Sequence, residues 1–506
     1  MADAHFQPGM LYKKRGEEEK AIEHLEKALE LTKQCHGDKN MRVGTITDNL
    51  GMLYAPRKEL AEAKKYYSIA YSVYEKTVGR DDLTTSDCAF RLGGVLEGLK
   101  SNLALDFYKE SLRVHRLNMT EDDERVGEIL FCLGRVNGKK KDYQDAVKCF
   151  EEALDIRKRL HGDSSDVANT YHHLGKAYSE ISQKEKALIL YKEAVRIDKK
   201  LGENDALCKV SLDMATCAVS CSHFQLAIGC YNDCLQGIES LDKKGKDTAV
   251  FLQRMGEIQM NKLENYEDAS KCFIDALEIL RGLEDNDESE DIMGLVLLAA
   301  QAYTSAKDYE NALVYYEDHI QATEDLIDLH DDKDPGIEEL ELLLADSLHE
   351  IGVVYAAIDS LELAIEKLLD CLDIRKKILD SDEEQVASAV YTLATVYEKA
   401  GEHDKAVESL VEALRSFKMK QNKAGSVKVY HALAKMKAST ERSAAIECYK
   451  EAIKIRRTMM SLNDIELASM LYEYADLLCI DNEYDTALPL LEEALLIQKS
   501  KNGLKD

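Results

Sequence analysis

The strongest constraint on this chain is a small residue that returns at an almost fixed interval. It stands at Gly9, Gly51, Gly93, Gly134, Gly175, Ala215, Gly256, Ala300, Gly352, Ala394, Ala434 and Ala475. The intervals are 42, 42, 41, 41, 40, 41, 44, 52, 42, 40 and 41 residues. A period in that range describes stacked supersecondary units, each burying its apolar face only against its neighbours. A chain of this kind lengthens by adding units. Its 506 residues therefore do not imply the roughly three globular domains that length alone would suggest.

The segment from Tyr171 to Leu201, YHHLGKAYSEISQKEKALILYKEAVRIDKKL, shows what one unit contains. Leu174, Gly175 and Tyr178 lie three to four residues apart, as do Ala187, Tyr191 and Ala194, so each trio occupies one helix face. The polar run Ser182, Gln183, Lys184, Glu185 between them reads as a turn. The unit is a helical hairpin: small residues let its helices approach, and the tyrosines fill the remaining space. The same positions recur as Gly51, Tyr54, Ala63, Tyr67 and Ala70, and as Ala394, Tyr397, Ala406, Leu410 and Ala413. In the third and eleventh units Ala104 and Ala445 fall one place early while Tyr108 and Tyr449 keep their spacing, so those hairpins still close. Gly37, Gly79 and Gly162 stand where a glycine can take the left-handed conformation that ends a helix. With only 4 prolines among so many Ala, Leu, Glu and Lys residues, the pattern predicts helices throughout and no strand.

In these positions the chain resembles tetratricopeptide-repeat proteins over essentially its whole length, in twelve units. The period exceeds the roughly 34 residues of the ordinary repeat and is similar to that of kinesin light chains. ALDIRKRLHGDSSDVANTYHHLGKAY (Ala153–Tyr178) and YDTALPLLEEALLIQ (Tyr484–Gln498) carry that likeness, with Pro489 near the start of a second helix. The resemblance implies an all-α, right-handed α-solenoid of about twelve hairpins. It also implies that the first helices line a concave groove for peptide segments of other proteins. Two features depart from the kinesin light chains. Their long heptad segment, which binds the motor, has no counterpart before these repeats, and of their inner-face asparagines only Asn49 is matched, with His173, Glu350 or Thr392 elsewhere.

The long interval divides the expected organisation. Units 1–8 occupy residues 1–330 and units 9–12 residues 337–500, with an acidic Pro/Gly linker at 331–336 and a short tail at 501–506. The sequence HDDKDPG (His330–Gly336) reads as a loop. Asp331, Lys333 and Pro335 do not supply the alternating oxygen ligands that a calcium loop needs. The sixth unit holds Cys217, Cys221, Cys230 and Cys234 with His223 in its turn. Four thiols in two i,i+4 pairs could meet on a zinc ion, or each could serve as a small apolar packing residue, as Cys234 does in the place of Ala194. The packing reading is the expectation, so no metal and no cofactor is assigned. No phosphate-binding glycine loop, paired-histidine zinc motif or nucleophile elbow occurs, and no catalytic residue is assigned.

A formal net charge of −29 opposes nonspecific binding to nucleic acid or anionic lipid. The longest apolar run, Gly294 to Tyr303, falls short of the roughly 20 residues a membrane helix needs. Thirteen scattered cysteines and an N-terminus without an apolar core point to a reduced, cytoplasmic setting. Against that acidic background, helical spacing puts cations on the exposed stripe of the first helices. In the fourth and fifth units the stripe holds Phe131, Arg135, Lys139, Asn169, His172 and Lys176. In the tenth and eleventh it holds Tyr391, Thr395, Lys399, Lys428, His431 and Lys435. Together with Asn49 these are the expected peptide-groove residues. Acidic partner segments would bind there through an aromatic anchor and the cations, unless the lysines only solvate an exposed face. The expected function is a non-enzymatic protein–protein interaction scaffold or adaptor, with a kinesin-light-chain-like cargo adaptor as one form of it. The alternative is a regulatory subunit or sensor of a signalling or cell-polarity complex. Pro8 is expected to interrupt the first helix, and both ends of the stack are open to self-association.

Overall fold

In the computed structural model the described residues are 2–119, 123–240, 245–283, 289–329, 336–380, 383–459 and 464–502, and they form helices without a strand. Two compact units, Met1–Lys244 and Gly245–Asp506, each hold six hairpins. The first contains α1 (Ala2–Arg15), α2 (Glu18–His36), α3 (Met41–Tyr54), α4 (Leu60–Thr77), α5 (Leu83–Gly98), α6 (Ala104–Asn118), α7 (Glu124–Lys139), α8 (Tyr143–His161), α9 (Ser165–Glu180), α10 (Lys184–Leu201), α11 (Asn204–Ser220) and α12 (Phe224–Ser240). The second contains α13 (Lys246–Lys262), α14 (Tyr266–Arg281), α15 (Ser289–Ala306), α16 (Tyr309–Leu329), α17 (Ile337–Ala357), α18 (Leu361–Ile378), α19 (Glu384–Lys399), α20 (His403–Met419), α21 (Lys423–Lys437), α22 (Arg442–Thr458), α23 (Ile465–Ile480) and α24 (Tyr484–Asn502). Within each unit the odd-numbered helix opens a hairpin, the even-numbered one closes it, and each closing helix packs on the next opening helix. The proposed linker at 331–336 lies outside the described residues except for Gly336, as do Asp331, Lys333 and Pro335.

The repeating small residue is where the two helices of a hairpin touch. A Cβ placed on Gly51 would lie 2.6 Å from the ring of Tyr67, and one on Gly134 2.7 Å from Phe150. On Gly175 it would lie 2.8 Å from Tyr191, and on Gly256 2.6 Å from Phe273. The aromatic face thus lies directly on first-helix backbone. Gly9 and Gly352 receive Leu25 and Leu368 in the same way, at 2.9 and 2.8 Å. Where the repeat has alanine the residue is still sealed, with Ala215, Ala300, Ala434 and Ala475 all at 0% exposure.

The turns reveal a second regularity. In eleven of the twelve hairpins one turn residue has positive φ: Gly16, Lys58, Lys100, Lys141, Ser182, Ser222, Glu264, Lys307, Asp359, Gly401 and Asn482. In most of them the next amide donates to a carbonyl five residues back, as from Asp142 to Asn137 at 2.9 Å and from Gln183 to Tyr178 at 3.0 Å. That bond closes the first helix and aims the chain back along it. Opening helices often start on a capping side chain, with Asn40, Asp82, Asp123, Ser164, Asn422 and Asp464 accepting first-turn amides.

Three local expectations are revised. Helix α1 runs through Pro8 without a break; the ring withholds one amide from the carbonyl four residues back while the rest of the helix continues. Pro489 is the sixth residue of α24, one turn further in than a cost-free position. Gly37 and Gly162 do have positive φ, 76° and 59°, but ψ of 172° and −134° takes them out of the left-handed helical well that Gly202 occupies.

Replacing Gly175 by alanine is expected to lower stability by about 1–3 kcal/mol, because the Tyr191 ring must move. Gly138→Ala, where an added Cβ meets nothing within 4 Å, is expected to gain up to about 1 kcal/mol. Urea unfolding of the two variants measures the contrast.

Candidate peptide-binding surface

The opening helices of neighbouring hairpins are tied to one another by polar pairs on their shared face. Arg91 on α5 grips Asp48 on α3 with two hydrogen bonds, 2.7 and 3.1 Å. Lys13 Nζ donates to Asn49 Oδ1 at 2.7 Å, and Asn49 Nδ2 donates to the Thr45 carbonyl. On α7, Arg135 donates to Glu97 of α5 at 2.7 Å and Lys139 donates to the same carboxylate at 2.8 Å. On α9, His172 meets Asp213 of α11 at 2.8 Å and Lys176 reaches it at 3.4 Å. In the second unit His431 and Lys435 share Glu473, at 2.6 and 3.2 Å. Lys399 donates to the Ala356 carbonyl at 3.2 Å, and Thr395 donates to the Thr392 carbonyl.

The expected cationic patches therefore carry their own counter-charges. Burial works to raise the Glu97 carboxyl, but the hydrogen bonds from Arg135 and Lys139 win and hold it below its ordinary range. Burial is likewise outweighed at Asp213, by His172 and Lys176, and at Glu473, by His431 and Lys435. The repeat pattern of a single hairpin does not reveal these three acids as partners of the cations. Their signal is a separation of 37 to 42 residues from a cation on a neighbouring opening helix.

Phe131 lies inside the packing and not on the exposed stripe that helical spacing predicts for it: only 7% of it is exposed. Its ring meets His173 edge-on at 5.3 Å and lies under the Arg157 guanidinium at 4.5 Å. Helix α7 is buried continuously from Ile129 to Gly134, which leaves no free ring face there. Tyr391 is half-buried against its hairpin's core, and Lys428 is exposed.

Two cavities open beside the fifth hairpin. The first, about 310 Å³, has a floor of Phe150, Tyr143 and His173 and a rim of Arg135, Lys139, Lys176 and Glu180. Gly138 lines it, and a Cβ added there would meet nothing within 4 Å. Burial, reinforced by the charges of His172, Arg135 and Lys176, pushes the His173 imidazole down to about 4, so this floor is neutral at physiological pH. The second, about 620 Å³, lies where the ends of α9, α10 and α11 meet and is lined by Asp166, Asn169, His172, Asp198, Glu203 and Asp205 among others. Asp198 is 2% exposed and its Oδ1 has no hydrogen-bond partner. Burial and the nearby Glu203 raise its carboxyl to about 6.

In the sixth hairpin Cys217 lies beside Cys221, and Cys234 beside Cys208 and Cys230. Cys217 points to the Lys184 carbonyl at 3.6 Å and Cys234 to that of Cys208 at 3.4 Å. Among the described residues no group of three or more His, Cys, Asp or Glu could hold a metal ion. No described helix is long and apolar enough to cross a membrane.

The Asp198 carboxyl has a pH consequence. Its folded value lies above the ordinary one, so it contributes stability below about pH 4, and that contribution is lost as pH rises through about 6. Asp198→Asn is therefore expected to be more stable than the parent by about 1–2 kcal/mol near pH 8 and no more stable near pH 4. Denaturation curves at both pH values check this; a gain independent of pH would contradict it.

Comparison with known proteins supplies the affiliation. A tetratricopeptide-repeat family model matches residues 42–116, 125–200 and 343–419, and a second matches 2–35. Among curated proteins, response regulator aspartate phosphatase A of Bacillus subtilis is 28% identical over 38% of this chain and 48% of its own length. Photosystem I assembly protein Ycf3 of Rippkaea orientalis is 27% identical over 19% of this chain and 53% of its own. The chain thus spans about half the length of the curated relatives it matches. Among solved structures, BtubC from P. vanneervenii is 16% identical with a TM-score of 0.41, covering 48% of this chain and 94% of that one. The repeats of a putative kinesin light chain from Podosopora anserina are 15% identical with a TM-score of 0.35, covering 39% and 95%. On its repeat positions, its twelve hairpins and the family models that match them, the chain belongs to the tetratricopeptide-repeat family.

Proposed function

We propose that this protein is a non-enzymatic scaffold or adaptor that holds segments of other proteins against its opening helices. The observation that carries the reading is the 310 Å³ cavity, where an apolar floor is ringed by Arg135, Lys139 and Lys176. A partner segment with an apolar anchor beside acidic groups fits that chemistry: the anchor loses water against Tyr143 and the neutral His173 ring, and the cations set the register. Each cation retains donors beyond those given to Glu97 and Asp213, so an incoming carboxylate can join the existing pairs. The anchor site is thus Tyr143 and His173 in place of Phe131, and the patch around Lys428, His431 and Lys435 is a second contact region. A cargo adaptor of the kinesin-light-chain kind is one form of this function. A regulatory subunit or sensor is the second reading, favoured by the match to a response regulator phosphatase.

The direct test fills the cavity. Gly138→Phe is expected to leave the fold intact and to remove proteins that co-purify with the parent in affinity capture from lysate. Gly138→Ala should keep them. An unchanged set of bound proteins in folded Gly138→Phe would sink the reading.

Self-association through the last hairpin is part of the proposal. Leu488, Leu495 and Leu496 on α24 are 59%, 53% and 71% exposed, a grouping that suits contact with another surface. Sedimentation velocity should show a concentration-dependent increase that Leu488→Lys with Leu495→Lys abolishes.

A further inference from the structure

On the closing helices, the place four residues after the last small residue joins one hairpin to the next. Arg157 follows Ala153 in this register, Arg375 follows Cys371 and Arg456 follows Ala452. Each arginine reaches the start of the next opening helix. Arg157 donates to the Asp166 carbonyl at 3.1 Å and to Thr170 Oγ1 at 2.8 Å. Arg375 donates to the Gln385 carbonyl at 2.9 Å, and Arg456 to Asp464, the cap of α23, at 3.0 Å. A guanidinium is thus a recurring bridge between hairpins.

Asp198 stands in this register after Ala194. The sign of the charge is reversed, the side chain is shorter, and a cavity of about 620 Å³ lies against it. Asp166, Glu203 and Asp205 add three carboxylates to its lining, against one cation, Lys209. His172 lines it too but is engaged with Asp213. Arg157 touches Asp166 only through the main-chain carbonyl. The buried Asp198 Oδ1 is left without a donor, a condition that normally costs a folded protein stability.

We propose that the cavity between the fifth and sixth hairpins is a receptor for the guanidinium of an arginine carried by a partner protein, seated on Asp198. The planar donor fork would give Asp198 Oδ1 its missing hydrogen bond and balance the acids around it. Because Asn169 and His172 of this cavity and Lys176 of the cationic one share helix α9, a captured segment would offer a basic residue and an acidic one to adjacent sites. The inference rests on the proposed scaffold function only in naming a protein as the source of the arginine. The pocket itself can be tested without any partner.

The probe is N-acetyl-arginine amide, with the citrulline amide as its uncharged isostere. The readout is methyl NMR of Ala206 and Val210, which line the cavity. Titration of the full chain should shift both methyls saturably. The citrulline amide should leave them unmoved, and Asp198→Asn should weaken the response by about tenfold or more. Binding should also weaken from about pH 7.5 to about pH 5, as the carboxylate takes up its proton. A folded parent whose methyls do not respond, an equal response to citrulline, or an undiminished response in folded Asp198→Asn would each overturn the proposal. Loss of lysate partners in Gly138→Phe together with a silent cavity would reject the arginine site while leaving the scaffold function standing.

Discussion

In the seven hairpins whose repeating small residue is glycine, an aromatic or leucine side chain of the closing helix lies on bare backbone of the opening helix. Dispersion falls off steeply with separation, so a missing Cβ at Gly51, Gly134, Gly175 or Gly256 gains a close-packed ring face that no larger residue allows. The contact also sets the rotation of the opening helix about its axis. That rotation decides which of its residues join the next hairpin and which remain for solvent or a ligand. The regular spacing of the small residue therefore records a requirement for close approach, met by glycine at seven positions and by alanine at five.

Junctions between hairpins are less uniform. The register that carries Arg157, Arg375 and Arg456 holds Tyr74 after Ala70 and Phe417 after Ala413. The Tyr74 ring lies close to Gly44 of its own opening helix, whereas the Phe417 ring lies close to Gly425 of the next one. The Phe417 ring packing on Gly425 and a guanidinium reaching the start of a helix are two ways of sealing the seam where the chain turns into the next unit. Asp198 adopts neither solution. A buried acid without a donor is costly, and its persistence beside an open, acidic cavity is what separates this junction from the others.

Electrostatics on the face of the opening helices differs from what an overall charge of −29 implies. Cations gather there, and each main group is matched by one acid from a neighbouring hairpin: Glu97, Asp213 or Glu473. Isolated surface ion pairs contribute little, but Glu97 is nearly buried and serves two cations and the Tyr108 hydroxyl at once. Such sharing fixes side-chain positions in advance and lowers the entropy lost when a ligand binds.

Helix count, hairpin boundaries and the small-on-large contact within each hairpin were readable from the chain, because they depend on residues within about one period of each other. The one-residue shifts at Ala104 and Ala445 were readable for the same reason. What only the tertiary structure decided involves residues about 40 positions apart. Arg135 is bound to Glu97, Phe131 is covered by His173 and Arg157, and Asp198 faces a cavity shared by three helices. Helical periodicity places a residue on a face but is silent on what the neighbouring hairpin brings to that face. The packing between hairpins supplies that information, and with it the burial, counter-charges and empty volume that make a surface able to bind.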